Sequence, residues 1–133
     1  MMRRNARQGG HGLMTQSLED YLEAIYLLVE ETGFAQVRDV ARQLSVKMPS
    51  VVKAIQELKK LELVIQNPYG PILLTPKGQA VARRVLNRHR LLREFLQLLG
   101  VSQRTADRDA CLMEHILSAE TLDRIRTYTE KKR

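Results

Sequence analysis

A short stretch dense in turn residues interrupts an otherwise helical sequence, and it constrains the fold more than any other feature. Residues 67–71 read Asn-Pro-Tyr-Gly-Pro and lie between the apolar runs Leu63–Ile65 and Ile72–Leu74. Two β-prone runs around a turn of this chemistry predict a β-hairpin. The chain therefore contains one predicted hairpin, set in a sequence whose other apolar residues recur at helical spacing.

Three helices are predicted before the hairpin. The first begins at Ser17, a plausible N-cap, and ends at Gly33. The second spans Val37–Leu44, and after a tight connector the third runs from Pro49 to about Leu61. Proline suits the first position of a helix because the N–H that it lacks has no partner there.

Three more helices are predicted after the hairpin. Thr75 and Pro76 form an N-cap and a first helical residue, and the long helix that they begin ends at Leu99, before Gly100. Two further helices follow, over roughly Thr105–Leu117 and Ala119–Glu130.

The predicted elements follow the order helix, short helix, tight turn, basic helix and hairpin. This is the order of a winged helix-turn-helix. We therefore predict a mainly α protein in which this DNA-binding unit precedes an all-helical domain. The expected boundaries are a disordered tail over residues 1–14, the winged helix-turn-helix over 15–76, and a helical metal-binding and dimerisation domain over 77–133.

Composition narrows the class of protein. The 133 residues carry a net charge of +7, with a pI near 9.9, which favours an anionic partner, and double-stranded DNA is the first candidate. Cys111 is the only cysteine, so an intrachain disulfide is excluded and a reducing compartment is expected. No apolar run approaches a membrane span, and no signal peptide is evident. We expect a cytoplasmic protein without a membrane partner.

The predicted DNA contacts lie at the start of the third helix, which would enter the major groove. A basic island runs from Lys47 to Lys60. Its side chains can bind guanine edges or phosphates. The alternative is an ordinary solvated helix face. The candidate DNA-binding residues are Lys47, Pro49, Ser50 and Lys53.

Six side chains on three helices could bind a metal. Asp20 and Glu23 share a face of the first helix, and His89 falls within the apolar stripe of the long helix. On the fifth helix three donors stand at i, i+3 and i+4, an arrangement that is costly to bury unless the groups are satisfied. A transition metal satisfies all of them. These three donors are Cys111, Glu114 and His115.

Taken singly, each of these residues also has an ordinary explanation, as a charged helix face, a core histidine or a core cysteine. Two other classes of function stay open at this point. One is a winged-helix regulator that senses a small ligand or redox state through Cys111. The other is an enzyme with Cys111 and His115 as nucleophile and base, although no glycine-rich loop or evident set of oxyanion donors supports it.

Several short strings, in a fixed order, resemble the diphtheria-toxin-repressor family of metal-dependent transcription factors, and most closely its manganese-transport-regulator branch. Each string is weak alone, but their order and spacing are specific. They are Glu19–Tyr26, Pro49–Val51, Leu74–Gly78, Arg88–Leu92, and Glu114-His115 followed by Ser118.

The resemblance implies a ligand set that mixes two branches of the family. Asp20, Glu23 and His89 match the manganese branch, and Glu114 and His115 match both branches. Cys111 matches the iron-responsive branch, whereas the manganese branch usually has glutamate there. The ancillary site of the iron branch would fall on His89, Arg93 and Asp107, and Arg93 argues against a complete site of that form.

The function that this resemblance implies is a homodimeric repressor of iron or manganese uptake genes, in the short form without a C-terminal SH3-like domain. The protein is not expected to be an enzyme. Fe²⁺ or Mn²⁺ would link the first helix to the helical domain and so fix the dimer for operator binding, and Co²⁺ or Zn²⁺ could replace them in vitro.

Overall fold

A computed structural model describes residues 14–133, and the predicted tail over residues 1–14 lies outside this range except for Met14. The structure divides into two compact units, with the division inside one long helix, between Ala82 and Arg83. The elements follow in the order α1 (Gln16–Thr32), α2 (Val37–Leu44), α3 (Met48–Lys60), β1 (Val64–Gln66), β2 (Ile72–Leu74), α4 (Pro76–Leu98), α5 (Gln103–Met113) and α6 (Ala119–Lys132). The predicted mainly α fold class, with a winged helix-turn-helix first, is confirmed.

The first unit packs three helices against the two-stranded wing. Strands β1 and β2 pair antiparallel, with Val64 opposite Leu74. The core that joins helices and wing consists of side chains with at most 2% of their surface exposed, since one face of each helix is apolar at helical spacing. These include Leu22, Ile25, Val40, Val51, Leu58 and Ile72.

Two predicted helix starts in the first unit were wrong by one or two residues. Helix α1 begins at Gln16 because the Thr15 hydroxyl, not that of Ser17, accepts a hydrogen bond from the Leu18 N–H at 3.1 Å. Helix α3 begins at Met48, which makes Pro49 its second residue. The predicted end of α1 is confirmed, since Gly33 has φ +93° and its N–H donates to the Val29 carbonyl.

The segment Thr75–Gly78 attaches the start of α4 to the end of α3. The Thr75 hydroxyl donates to the Glu62 carbonyl at 2.7 Å and accepts from the Gly78 N–H at 2.9 Å. The Lys77 ammonium donates to the Leu61 carbonyl at 3.2 Å, at the point where α3 ends. Gly78 leaves no room for a side chain, because a Cβ there would overlap the Leu63 carbonyl oxygen.

The second unit contains most of α4 together with α5 and α6. Val85, Leu92, Ala106 and Ala110 are buried in its core. Helix α6 contacts α4 through an edge-to-face pair of rings, Phe95 and Tyr128. Arg133, which follows α6, forms an ion pair with Glu94 of α4 through two hydrogen bonds of 2.7 Å. No helix within residues 14–133 has the length and apolar character that a membrane span requires.

Candidate metal centre

Helix α5 ends earlier than the sequence pattern predicts, and this places the candidate ligands at a helix end. The expected helix to Leu117 was wrong, because α5 stops at Met113 and Glu114 is its C-cap. The guanidinium Nε of Arg88 donates to the Glu114 carbonyl at 3.1 Å. Carbonyls in the last turn of a helix lack intrahelical partners, so this bond from α4 stabilises the early end.

Three of the six predicted ligands come together within the second unit. One donor atom each from His89, Cys111 and Glu114 lies within 4.8 Å of the other two. Histidine nitrogen, cysteine sulfur and carboxylate oxygen at this separation are a typical ligand set for a divalent transition metal. His89 comes from α4, Cys111 from α5 and Glu114 from its C-cap, so the cluster joins the two helices.

The Glu114 carboxyl is fully buried, and the His115 side chain is 3% exposed. The His115 Nε2 lies 3.4 Å from the Glu114 Oε1, which puts the imidazole beside the cluster. A carboxyl removed from water in this way is costly unless positive charge reaches it. Protonated histidine or a bound cation can supply that charge, and a cation can do so for all the donors at once.

Asp107 orients His89. Its carboxylate oxygen lies 2.8 Å from the His89 Nε2, and the Arg93 guanidinium lies 3.4 Å from the same oxygen. The hydrogen bond from His89 lowers the pKa of the Asp107 carboxyl, and Arg93 lowers it further. An ionised carboxylate can only accept, so Nε2 donates to it, and Nδ1 is the ring nitrogen left on the side of the cluster.

The His89 Nδ1 provides the test of whether a metal fits. It is buried and has no hydrogen-bond partner among the described residues. Its nearest charged neighbour is the Glu114 Oε2 at 3.8 Å, beyond hydrogen-bond distance. A metal cation bound by both Nδ1 and the Glu114 carboxylate would satisfy the two groups at once. The residues present therefore fit a metal. A histidine that binds a metal usually donates its other ring N–H to a carboxylate or carbonyl, as His89 does to Asp107.

Sequence reasoning assigned Asp107 only through the resemblance, at a position of the ancillary site. The structure instead makes it the residue that fixes the ring of His89. A spacing signal could not have found this role, because the two residues are eighteen positions apart on different helices. Arg88 was also missed as the residue that holds the Glu114 backbone.

The remaining metal candidates belong to the first unit. Asp20 and Glu23 are partly buried on α1, although neighbouring Leu27 is 37% exposed. Both carboxylates therefore lie on one partly buried side of the helix, as expected for residues three positions apart. Their membership of the metal centre stays a prediction.

The candidate DNA-binding residues share one exposed end of α3. Lys47, Pro49, Ser50 and Lys53 are all exposed, whereas Val51 is fully buried against the rest of the unit. The wing places Tyr69, at φ +60°, in the turn between the strands with its side chain in solvent. The basic end of α3 and the wing tip are therefore available to a large anionic partner.

Comparison with known proteins decides the family. Residues 13–72 match the family model for the N-terminal DNA-binding domain of iron-dependent repressors. Residues 75–132 match the model for the metal-binding and dimerisation domain of the same proteins. The chain belongs to the iron-dependent repressor family. The resemblance inferred from the sequence is confirmed, and the chain is a metal-dependent transcriptional regulator of this family.

The relatives of this chain that have names are also transcriptional regulators. The chain is 47% identical over 111 residues to the HTH-type transcriptional regulator MntR of Geobacillus kaustophilus, covering 84% of this chain and 79% of that protein. It is 42% identical over 113 residues to MntR of Bacillus subtilis, covering 85% and 80%. These are DNA-binding regulators and not enzymes, so the prediction of a non-enzyme is confirmed.

Solved structures show the same fold. The manganese regulator SloR superposes with a TM-score of 0.77 at 30% identity, covering 88% of this chain and 55% of that one. The IdeR of T. acidophilum superposes with a TM-score of 0.72 at 30% identity, and the match covers 93% of this chain and 54% of that one. The chain thus spans about half the length of these two structures. Nothing in the comparisons supports sensing of redox state or of an organic ligand through Cys111.

Proposed function

We propose that the chain is a homodimeric repressor that binds operator DNA when a divalent metal occupies the centre formed by His89, Cys111 and Glu114. The observation that carries the proposal is the buried His89 Nδ1, held toward Glu114 by Asp107 and without a hydrogen-bond partner among the described residues. The bound metal supplies positive charge to donors that otherwise face one another. In this proposal the protein controls genes for iron or manganese uptake. It acts in the cytoplasm, where a bacterial-type transcriptional regulator binds its DNA.

Further ligands complete the centre in this proposal. His115 neighbours Glu114 in the second unit, and Asp20 and Glu23 are supplied by α1. Their chemistry suits the same class of metal, and the resemblance places a ligand at each position. Metal binding would then couple the DNA-binding unit to the helical unit, which is how a bound ion could favour one arrangement of the two DNA-reading helices.

Fe²⁺ is the metal that we favour, with Mn²⁺ second. The Cys111 thiolate is a soft ligand, which moves preference away from Mn²⁺, whereas carboxylate ligands keep the site acceptable to it. The relatives support both metals, since one neighbour is a manganese regulator and the family name refers to iron. Another neighbour, ScaR, is described with bound Zn²⁺ and Cd²⁺. Affinity order alone favours Zn²⁺, so metal availability must contribute to the choice.

The DNA partner is a double-stranded operator with two half-sites. Lys53 is expected to bind a base edge or a phosphate, and Lys47 and Ser50 a phosphate, at the exposed end of α3. Pro49 contributes an apolar surface at the same place. A two-fold symmetric dimer would present two such helices to a palindromic site.

The dimer interface is proposed on the apolar surface of α5, of the segment that connects α5 to α6, and of α6. Leu112 is 56% exposed and Ile116 is 74% exposed, which is more apolar surface than a small unit normally leaves in water. The same part of the chain has four more apolar side chains that are partly exposed, Met113, Leu117, Leu122 and Ile125. The matched family model describes this part of the chain as a dimerisation domain, and that supports the proposal.

The test is a selection from random DNA duplexes, performed anaerobically with the metal-free chain and with Fe²⁺, Mn²⁺, Co²⁺ or Zn²⁺. We expect enrichment of one palindromic sequence only when metal is present. The Cys111→Glu variant should raise Mn²⁺ activation relative to Fe²⁺ and Zn²⁺, because an oxygen ligand replaces the thiolate. Enrichment without metal, or no enrichment with any metal, would overturn the proposal. An unchanged metal ratio in Cys111→Glu would remove Cys111 alone from the ligand set.

A further inference from the structure

A groove of about 740 Å³ between α4 and α6 is lined by four arginines. It contains none of the candidate metal ligands, and it shares only Leu122 with the proposed dimer interface. We call it the arginine groove. Its volume lies within the range of small-molecule sites. The side chains that define it are Arg84, Asn87 and Arg88 on α4, and Arg124, Arg126 and Thr127 on α6.

The lining of the groove has four arginines and two acidic residues. Arg126 pairs with Asp123 at 3.4 Å, whereas Arg84 and Arg124 form no ion pair with any residue in 14–133. Arg84 and Arg88 stand at i and i+4 on α4, where like charges repel each other. An anion between two such side chains would relieve this repulsion.

Two further groups strengthen the positive potential of the groove. Helix α6 begins at Ala119, which lines the groove, and the N-terminus of a helix carries partial positive charge. The amide of Asn87, which forms no hydrogen bond to a described residue, adds two N–H donors. Glu120 opposes them, since it is the second acid of the groove beside Asp123.

We propose that the arginine groove binds a phosphate group. Planar guanidinium groups hold phosphate oxygens through pairs of hydrogen bonds, and several arginines around one concave surface are the usual means of binding a phosphate ester. The phosphate could belong to a free anion or to the DNA backbone. Either source presents the same oxygens, so the chemistry is shared and the experiment must separate the sources.

Arg88 connects the groove to the metal centre. Its Nε donates to the carbonyl of Glu114, whose carboxylate belongs to the ligand cluster. A phosphate drawn to the guanidinium of Arg88 would therefore act on the residue that holds the Glu114 backbone. The groove lies wholly within the second unit, and phosphate binding by the metal-free chain depends on neither the proposed operator nor the proposed metal.

The first arm of the test is calorimetric titration of the metal-free full chain with inorganic phosphate. The double variant Arg84→Ala/Arg124→Ala should weaken phosphate binding by about tenfold or more, which is the loss expected for charge-assisted hydrogen bonds. The matched control is Arg90→Ala/Arg104→Ala, which removes the same charge from exposed positions of the second unit outside the groove. Glu120→Gln should strengthen binding, whereas Glu130→Gln should not.

The second arm measures affinity of the metal-loaded chain for a long mixed-sequence DNA duplex as a function of salt. If the groove variant loses phosphate binding in the first arm but keeps the parent's salt slope for DNA binding, the ligand is a free anion. If the groove variant has a smaller salt slope than the parent and the control variant does not, the ligand is the DNA phosphates. Circular dichroism spectra confirm that each variant folds. Equal behaviour of the groove and control variants in both arms, or no measurable phosphate binding with an unchanged salt slope, would overturn the proposal.

Discussion

Replacing Gly78 with alanine should destabilise the DNA-binding unit, although the same replacement stabilises most helices. Gly78 is the third residue of α4, and alanine is favoured over glycine inside a helix by about 1 kcal/mol. Here a Cβ would lie 2.8 Å from the Leu63 carbonyl carbon and 3.2 Å from its Cα, and it would overlap the carbonyl oxygen. Ordinary carbon contacts need about 3.5–4.0 Å.

The size of the effect follows from what must move. The start of α4 has to withdraw by about 1 Å from the α3–β1 connection. That movement disrupts the hydrogen bonds from Thr75 to the carbonyls of Leu63 and Glu62, now 3.1 and 2.7 Å long. Two lost bonds and the overpacking strain outweigh the gain in helix propensity, and the net cost is about 2–4 kcal/mol.

Urea unfolding followed by circular dichroism measures this cost, and hydrogen exchange of the α3 amides assigns it to the first unit. The control is Ala80→Gly, an exposed position of the same helix, which should cost about 1 kcal/mol through propensity alone. If Gly78→Ala is as stable as the parent chain or more stable, the close approach of α4 to Leu63 is not what requires glycine.

Three further predictions concern the DNA-binding end, the ring of His89 and the dimer. Lys53→Ala should weaken operator binding by about 1–3 kcal/mol if the lysine contacts a base edge. Unchanged affinity and an unchanged salt slope would show that α3 does not enter the major groove of the DNA. Asp107→Asn should lower metal affinity by about 10- to 100-fold because the ring of His89 loses its charged partner. In calorimetry of metal binding, an affinity equal to that of the Asp109→Asn control would contradict this role. Ile116 is 74% exposed in one subunit, and in the proposed dimer it is buried against the other. Ile116→Lys would place a charge in that interface, so sedimentation should show a monomer. A stable dimer of this variant would show that the interface lies elsewhere.

Local signals in the sequence were enough for most of the first unit. Helix α2 was predicted at the bounds that the structure gives, Val37–Leu44, because its apolar residues recur at helical spacing. Residues 67–71 predicted the wing because proline fixes φ at a value suited to turns and glycine tolerates the positive φ that many turns need. Thr75 and Pro76 marked the start of α4 for the same kind of reason, an N-cap followed by a residue suited to the first turn.

The second unit was harder because its decisive features depend on contacts between helices. No glycine or proline marks the end of α5, and the helix stops at Met113 where Arg88 reaches across from α4 to the Glu114 carbonyl. Residue chemistry placed His89, Cys111 and Glu114 among six candidate ligands, and the structure brings these three together. Asp107 could not be assigned from spacing, since its role requires the packing of α5 against α4.

The central claim is that a metal bound through Cys111 enables operator binding. It is tested most directly by titrating the metal-free chain anaerobically with Co²⁺ in the presence of labelled operator. The near-ultraviolet absorption of a thiolate–Co²⁺ bond and the fluorescence anisotropy of the DNA are followed in one cuvette. We expect both signals to rise together and to saturate at the same amount of metal, and we expect Cys111→Ser to lose the absorption. Saturated operator binding before any metal is added, or absorption that is the same in Cys111→Ser, would contradict the claim.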